Sequence, residues 1–231
     1  MDPSFVTPPI SPRPVVALAA DVVRRPGGRR AVSLLSIVLF LAGVTMFAYP
    51  VGTDLYSRIQ QDRLQDRFDD PEVRAAYVER RIDVGDGLTT LRIPKLDVEV
   101  LVVEGTTPAA LRAGAGHYVG TPLPGEAGNV AIAGHRTTYG RPFNRVDELR
   151  VDDVVELETP LAEHTYRVVP AFDGHANPWV VSPTDVSVVS QNLKGSYLTL
   201  TTCHPKGSAR QRLIVRLELV QTVPRTADAG E

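Results

Sequence analysis

The chain contains one cysteine, one tryptophan and two methionines among 231 residues. A lone thiol excludes an internal disulfide framework, and one cysteine with scattered histidines lacks the paired spacing of a zinc site. No metal or cofactor is implied. An excess of either charge is also missing: 25 Lys and Arg against 27 Asp and Glu leave a net charge of -2, no field for nucleic acid. The 43% hydrophobic content is that of an ordinary globular domain, and the length allows one sizeable core with appendages.

Charge is absent altogether from residues 31–53, "AVSLLSIVLFLAGVTMFAYPVGT". At a rise of about 1.5 Å per residue this run can cross a hydrocarbon layer about 30 Å thick, so it reads as a membrane-spanning anchor. It is too long for the apolar region of a cleaved signal peptide, and no A-x-A-like site follows. Arg24, Arg25, Arg29 and Arg30 precede it, whereas Arg58, Arg63 and Arg67 beyond it are mixed with acids. The positive-inside rule therefore predicts a cytoplasmic N-terminus and an extracellular C-terminal bulk, attached to the cell membrane by a single pass. Residues 1–30 carry Pro3, Pro8, Pro9, Pro12 and Pro14 and read as a disordered cytoplasmic tail.

Residues 54–87 read as a charged helical stalk, with Leu55, Ile59, Leu64 and Phe68 as a thin apolar stripe. Within it Asp70 is placed as an N-cap and Pro71 as the first residue of a short helix to about Arg81, after which "DVGDG" breaks the chain. On this reading a chain starting near Pro71 folds and works without the anchor. From Leu88 the pattern becomes short β-rich runs divided by Gly, Pro and Asp: "TTLRI", "DVEVLVV", "NVAIAG", "VVELE", "TYRVVPAF", "DVSVVS", "YLTLTT" and "RLIVRLEL". Eight candidate strands with only short helical pieces predict an all-β barrel or sandwich over residues 88–222, and 223–231 a frayed tail.

The cysteine, Cys203, falls where "YLTLTT" gives way to the loop "HPKGSAR". A buried, inert thiol is the ordinary reading of a single cysteine. Against it stand the oxidising side of a membrane, the strand-end position, and a base and a cation within reach of the fold. Among five histidines His204 is adjacent, but successive strand residues face opposite ways. His135, just past the strand "NVAIAG", is better placed as the partner base. His117 could line the site or pack locally, and His164 and His175 read as solvated loop residues. Acyl transfer to a thiol also needs charge stabilisation for the oxyanion. Arg212 opens the final strand and a hairpin would bring it beside Cys203, with Arg210 and Arg216 as competitors.

These segments resemble the sortase family. "TLTTC" matches its TLxTC signature, "AGH" precedes a loop upstream and "RLIV" follows downstream, in the order His, Cys, Arg. The resemblance runs from about Leu91 to Leu219 and takes in "LRIPKLDVEVLVVEG", "GHYVGTPLPGEAGN" and "VVSPTDVSVV". It implies an eight-stranded sortase-like β-barrel with short helices, preceded by the transmembrane helix. It carries over His135, Cys203 and Arg212 as the catalytic triad, with Thr202, Thr138 and Tyr139 on the substrate and oxyanion side.

The implied function is that of a membrane-anchored cysteine transpeptidase. Such enzymes cut an LPxTG-type sorting signal between Thr and Gly through a cysteine thioester and pass the acyl group to an amine on a lipid-linked peptidoglycan precursor. Its partners would be surface proteins bearing that C-terminal signal. "GHRTTYGRPF" and "TLTTCHP" look most like class E, associated with LAxTG, with class D as the near alternative. "DDPEV" lacks the aromatic of an inhibitory lid motif, which favours a housekeeping role, and Trp179 in "NPWV" belongs either to a substrate-groove loop or to packing. Papain-like enzymes fail on residue order and L,D-transpeptidases on motif. The rival from another class is a non-catalytic, wall-facing scaffold with a sortase-like fold.

Overall fold

The computed structural model describes residues 26–225 apart from positions 69 and 173, so nearly all of the N-terminal tail and most of the C-terminal one lie outside the described residues. The chain divides into two compact units between Tyr49 and Pro50. The first is described through the apolar part of helix α1, Pro26–Phe68. A charge-free run rich in Leu, Val, Ile and Ala satisfies its backbone within the helix except at Pro50, which has no N–H to donate, and here it leaves Leu34, Phe40 and Phe47 exposed. Among the described residues α1 is the one helix long and apolar enough to cross a membrane, which is consistent with an anchor.

In the second unit, the rest of α1 is no free stalk. Thr53, Ser57 and Phe68 are buried. The Gln61 side-chain amide donates to the carbonyls of Leu101 (3.1 Å) and Ala113 (2.7 Å), and its oxygen accepts from the Leu101 N–H (2.6 Å). Three such bonds to the backbone of Leu101 and Ala113 pack this part of the helical stalk expected over 54–87 onto the domain. The apolar stripe predicted for this segment agrees only in part, since Leu55 stays exposed while polar Ser57 and Gln61 make the contact. Helix α2, Pro71–Val78, starts with Asp70 at the N-cap position, although its side chain makes no capping bond, and stops before Arg81 because Arg80 adopts φ +55°.

The strands are β1 (Gly87–Ile93), β2 (Val98–Glu104), β3 (Ala115–His117), β4 (Gly128–Ala133), β5 (Val154–Glu158), β6 (Ala162–Val168), β7 (Ala171–Phe172), β8 (His175–Ala176), β9 (Trp179–Val181), β10 (Ser196–His204) and β11 (Gln211–Pro224). Helix α3, Pro108–Ala113, joins β2 to β3, with the Thr107 hydroxyl accepting from the Ala110 N–H at its N-terminus. The order β10-β4-β3-β2-β1-β5-β6-β11 closes through β10–β11 pairing into an eight-stranded barrel, with β9 added along β11 and β7–β8 forming a separate hairpin. Leu91, Val102, Val130, Ile132, Phe143, Leu157, Tyr166, Leu200, Val215 and Leu217 fill its interior.

Two strand expectations fail for physical reasons. "DVSVVS" is not a strand: the Asp185 carboxylate accepts from the Ser187 N–H (3.0 Å) and hydroxyl (2.6 Å), which bends Val186–Val189 into a 3-10 turn with Val186 exposed. The eighth barrel strand is instead β3, three residues of "AGAGH" with no β-propensity. Barrel closure selects them, because a Cβ on Gly116 would lie 2.3 Å from the Gly105 carbonyl oxygen. "TYRVVPAF" is likewise two elements, β6 and β7.

Candidate active site

The site is built at one end of three neighbouring strands. β4 and β10 run parallel up to Ala133 opposite Thr201, and β11 returns antiparallel so that Arg212 lies directly opposite Cys203. Beyond the paired stretch the Gly134 N–H donates to the Thr201 carbonyl (3.1 Å), which carries the register on to His135 beside Cys203. All three predicted triad residues therefore come to the same barrel end and each is half-buried, Cys203 and Arg212 within strands and His135 just past the end of β4.

Cys203 is the one thiol, and Arg212, its cross-strand neighbour, lies on the same sheet face, where directly opposed residues have Cβ atoms roughly 4.5–5.5 Å apart. The Arg212 guanidinium is steadied by donating Nη1 to the carbonyls of Ala209 (2.9 Å) and Gln211 (3.1 Å) in the hairpin. The competitors go elsewhere. Arg210 is exposed, with Nε donating to the Ser208 hydroxyl (3.3 Å). Arg216 is buried four positions further along β11, its guanidinium carbon 4.3 Å from the centre of the Phe172 ring and Nη2 donating to the Val188 carbonyl (3.0 Å).

Burial pulls the His135 pKa below its ordinary value of 6.5, and the nearby positive charge of Arg112 lowers it further. The imidazole is thus neutral at neutral pH, the form that can take a proton from a thiol. An NMR titration is expected to place His135 below 6.5, with Arg112→Ala recovering only part of the shift, because burial is the larger cause. Full recovery in that variant would show that charge, not burial, sets the value.

His204 is differently occupied. The Arg136 guanidinium, itself buried, donates Nη1 to His204 Nδ1 (3.0 Å) and to the Cys203 carbonyl (3.3 Å), while Nη2 pairs with Asp147 (2.9 Å). An arginine can only donate, so that imidazole nitrogen is held as an acceptor. Arg136 binds the loop after His135 to the end of β10 and is the residue that sequence reasoning missed. Its signal was present, a basic residue directly after "AGH", but nothing in the local pattern says that it is buried.

Thr202 is buried and its hydroxyl donates to the Gly134 carbonyl (2.7 Å), fastening the residue before His135 to the residue before Cys203. Thr138 and Tyr139 lie in the turn beyond His135; the Thr138 carbonyl accepts from the Arg141 N–H (3.1 Å), and the Tyr139 ring sits 5.3 Å from the His135 ring. The other histidines divide. His117 is buried on β3, with Nδ1 against Glu104 (2.7 Å) and Nε2 against Thr121 (2.8 Å), and so packs locally. His164 is not a solvated loop residue: it is buried in β6, 3.1 Å from the Thr222 hydroxyl, because β6 starts earlier than its sequence suggests. His175 is exposed and stacks on Trp179 at 5.8 Å, while Trp179 pairs with Ile214 in the strand added along β11.

Comparison with known proteins agrees with this geometry. The sortase domain model matches residues 91–220, more than half of the chain. Sortase SrtE1 of Streptomyces coelicolor is 29% identical over 88% of the chain, the match spanning 61% of its own length; SrtE2 of the same organism is 29% identical over 86%, spanning 87% of its length. The fold is similar to the crystal structure of sortase E1 from Streptomyces coelicolor with a tripeptide in its active site, at TM-score 0.55 and 35% identity over 63% of this chain and 96% of that one. It is also similar to the SrtF sortase of Corynebacterium diphtheriae, at TM-score 0.60 and 31% identity over 65% and 92%. With a Cys, a His and an Arg brought to one end of an eight-stranded barrel, the chain belongs to the sortase family, and within it is class E-like.

Proposed function

We propose that the chain is a membrane-anchored sortase that cleaves an LPxTG- or LAxTG-type signal between Thr and Gly and transfers the acyl group to a cell-wall amine. The observation that carries this reading is the shared strand end, where Cys203 faces Arg212 across β10–β11 and the parallel β4–β10 register brings His135 alongside. His135 takes the proton of the Cys203 thiol, and the resulting thiolate attacks the Thr carbonyl carbon, forming the C–S bond. Arg212 supplies positive charge where the oxyanion develops. The protonated His135 gives its proton to the Gly nitrogen as the C–N bond breaks, leaving a thioester. An amine then attacks the thioester carbonyl, a new C–N bond forms, the thiolate departs and His135 takes the proton from the incoming nitrogen. Thr202 serves this site by holding its two strand ends together, while Thr138 and Tyr139 border the groove on the His135 side.

Partners on this reading are surface proteins with a C-terminal sorting signal and a lipid-linked peptidoglycan amine, met at the outer face of the cell membrane. The arginines before the apolar segment support that orientation. Incubation with a sorting-signal peptide and a small amine, followed by mass spectrometry, is expected to yield the Thr-terminated amide and a thioester on Cys203; neither product would overturn the assignment. In competition, the class E-like character predicts a higher kcat/KM for the LAxTG peptide than for LPxTG. The reverse preference would leave the family intact and refute the specificity.

A further inference from the structure

The part of α1 that follows its apolar run lies directly on the turn after His135. Asp54 accepts from the Gly140 N–H with Oδ1 (3.0 Å) and from the Arg141 guanidinium with Oδ2 (2.9 Å). Ser57 is buried beneath the same glycine, where an added Cβ would stand 3.1 Å from its hydroxyl. Tyr56 meets the Tyr139 ring edge-on, centroids 6.4 Å apart at 77°, and Tyr139 in turn lies against the His135 imidazole.

The turn is one that needs holding. Tyr139, Gly140 and Arg141 have φ of +52°, +73° and +50°, three consecutive residues in the left-handed region, two of them with side chains that disfavour it. Such a backbone persists where its surroundings over-determine it, and strain of this kind concentrates at functional sites. What over-determines this turn is a carboxylate and a ring contributed from some eighty residues upstream, at the base of the apolar helix.

We propose that Asp54 and Tyr56 are positioning residues for His135: the helix clamps the 139–141 turn, and Tyr139 thereby fixes where the imidazole stands. The inference rests on the reading of His135 as the proton-transfer group. It also means that the anchor helix does more than locate the enzyme, since its continuation builds one side of the site. Loss of the clamp leaves the barrel core intact but lets the imidazole wander from the thiol, and a displacement of about 1 Å in such a group costs on the order of 10²-fold in rate.

The test uses the full chain in detergent micelles, with a sorting-signal peptide and an amine acceptor. The double variant Asp54→Ala/Tyr56→Ala is expected to lose about 10–100-fold in kcat with KM within about twofold, and the His135 pKa, read by NMR, to rise toward its ordinary value as the ring becomes more exposed. Tyr56→Phe, which keeps the ring edge, is expected to retain most of kcat when Asp54 is present. His135→Ala is measured in parallel. If His135→Ala stays active, the underlying reading falls and this inference with it. If His135→Ala is inactive while the double variant keeps parental kcat and parental His135 titration, the positioning role alone is overturned. A kcat loss with unchanged His135 titration and a large fall in melting temperature would likewise overturn it, since the helix would then be structural.

Discussion

Cys203→Ala is expected to abolish peptide cleavage and amide formation while the protein melts within a few degrees of the parent. The two halves of that expectation have separate physical grounds. Activity disappears because no other thiol exists in the chain, so no neighbouring group can take over formation of the thioester. Stability persists because β10 and β11 are paired through their backbones along eight successive residue pairs from Tyr197 to His204, of which the cysteine is the seventh. The thiol is only half-buried and accepts no load from the core residues Leu198 and Leu200. Its replacement by a methyl group leaves no sizeable cavity. Peptide turnover measured by chromatography, beside a thermal melt of the same sample, separates the two. Cleavage at the parental rate would show that Cys203 is not the nucleophile, and loss of both activity and fold would show that it belongs to the structure.

The barrel was legible where strands carry their own signal. β1, β2, β5, β10 and β11 are alternating or β-branched runs bounded by Gly, Pro or Asp, and they pair as strands of that kind do. β3 was not legible, because its Ala and Gly are chosen by a backbone approach from Gly105 that leaves no mark on hydrophobic periodicity. Residues 185–190 misled in the opposite direction: valines alternate there as in a strand, but one aspartate offers the backbone a competing turn.

The candidate site divides in the same way. His135, Cys203 and Arg212 stand at ends of periodic runs and were visible from the strand–loop transitions, but that β4 and β10 are parallel neighbours is a property of the whole topology. Arg136 stayed hidden because its meaning is tertiary: Asp147, which pairs with its charge, and the Cys203 carbonyl, which accepts its hydrogen bond, both lie outside its local run. The residues after the apolar run read in sequence as a charged helical stalk, because exposed charge is what such a stalk shows. Asp54 and Gln61 look the same in sequence whether they face water or the backbone of a barrel.

His135→Ala is expected to lower kcat/KM by at least about 10²–10⁴-fold, the range that a positioned acid–base group supplies. His204→Ala, assayed on the same peptide, is expected to cost far less, although the two imidazoles lie on either side of the same strand end. Position in the fold gives the difference. His135 continues the β4–β10 register to the level of Cys203 and keeps a neutral, half-buried ring with a lowered pKa. His204 instead has Nδ1 occupied as the acceptor of a hydrogen bond from the buried Arg136, so that nitrogen is tied to the loop rather than turned to the thiol. Removing His204 withdraws one acceptor from Arg136, which retains Asp147 and the Cys203 carbonyl, so the loop is loosened rather than lost. A pH series sharpens the comparison: the acidic limb of kcat/KM, governed by a group titrating below 6.5, is expected in the parent and in His204→Ala alike and to vanish from the residual activity of His135→Ala. A greater loss in His204→Ala than in His135→Ala would reverse the assignment.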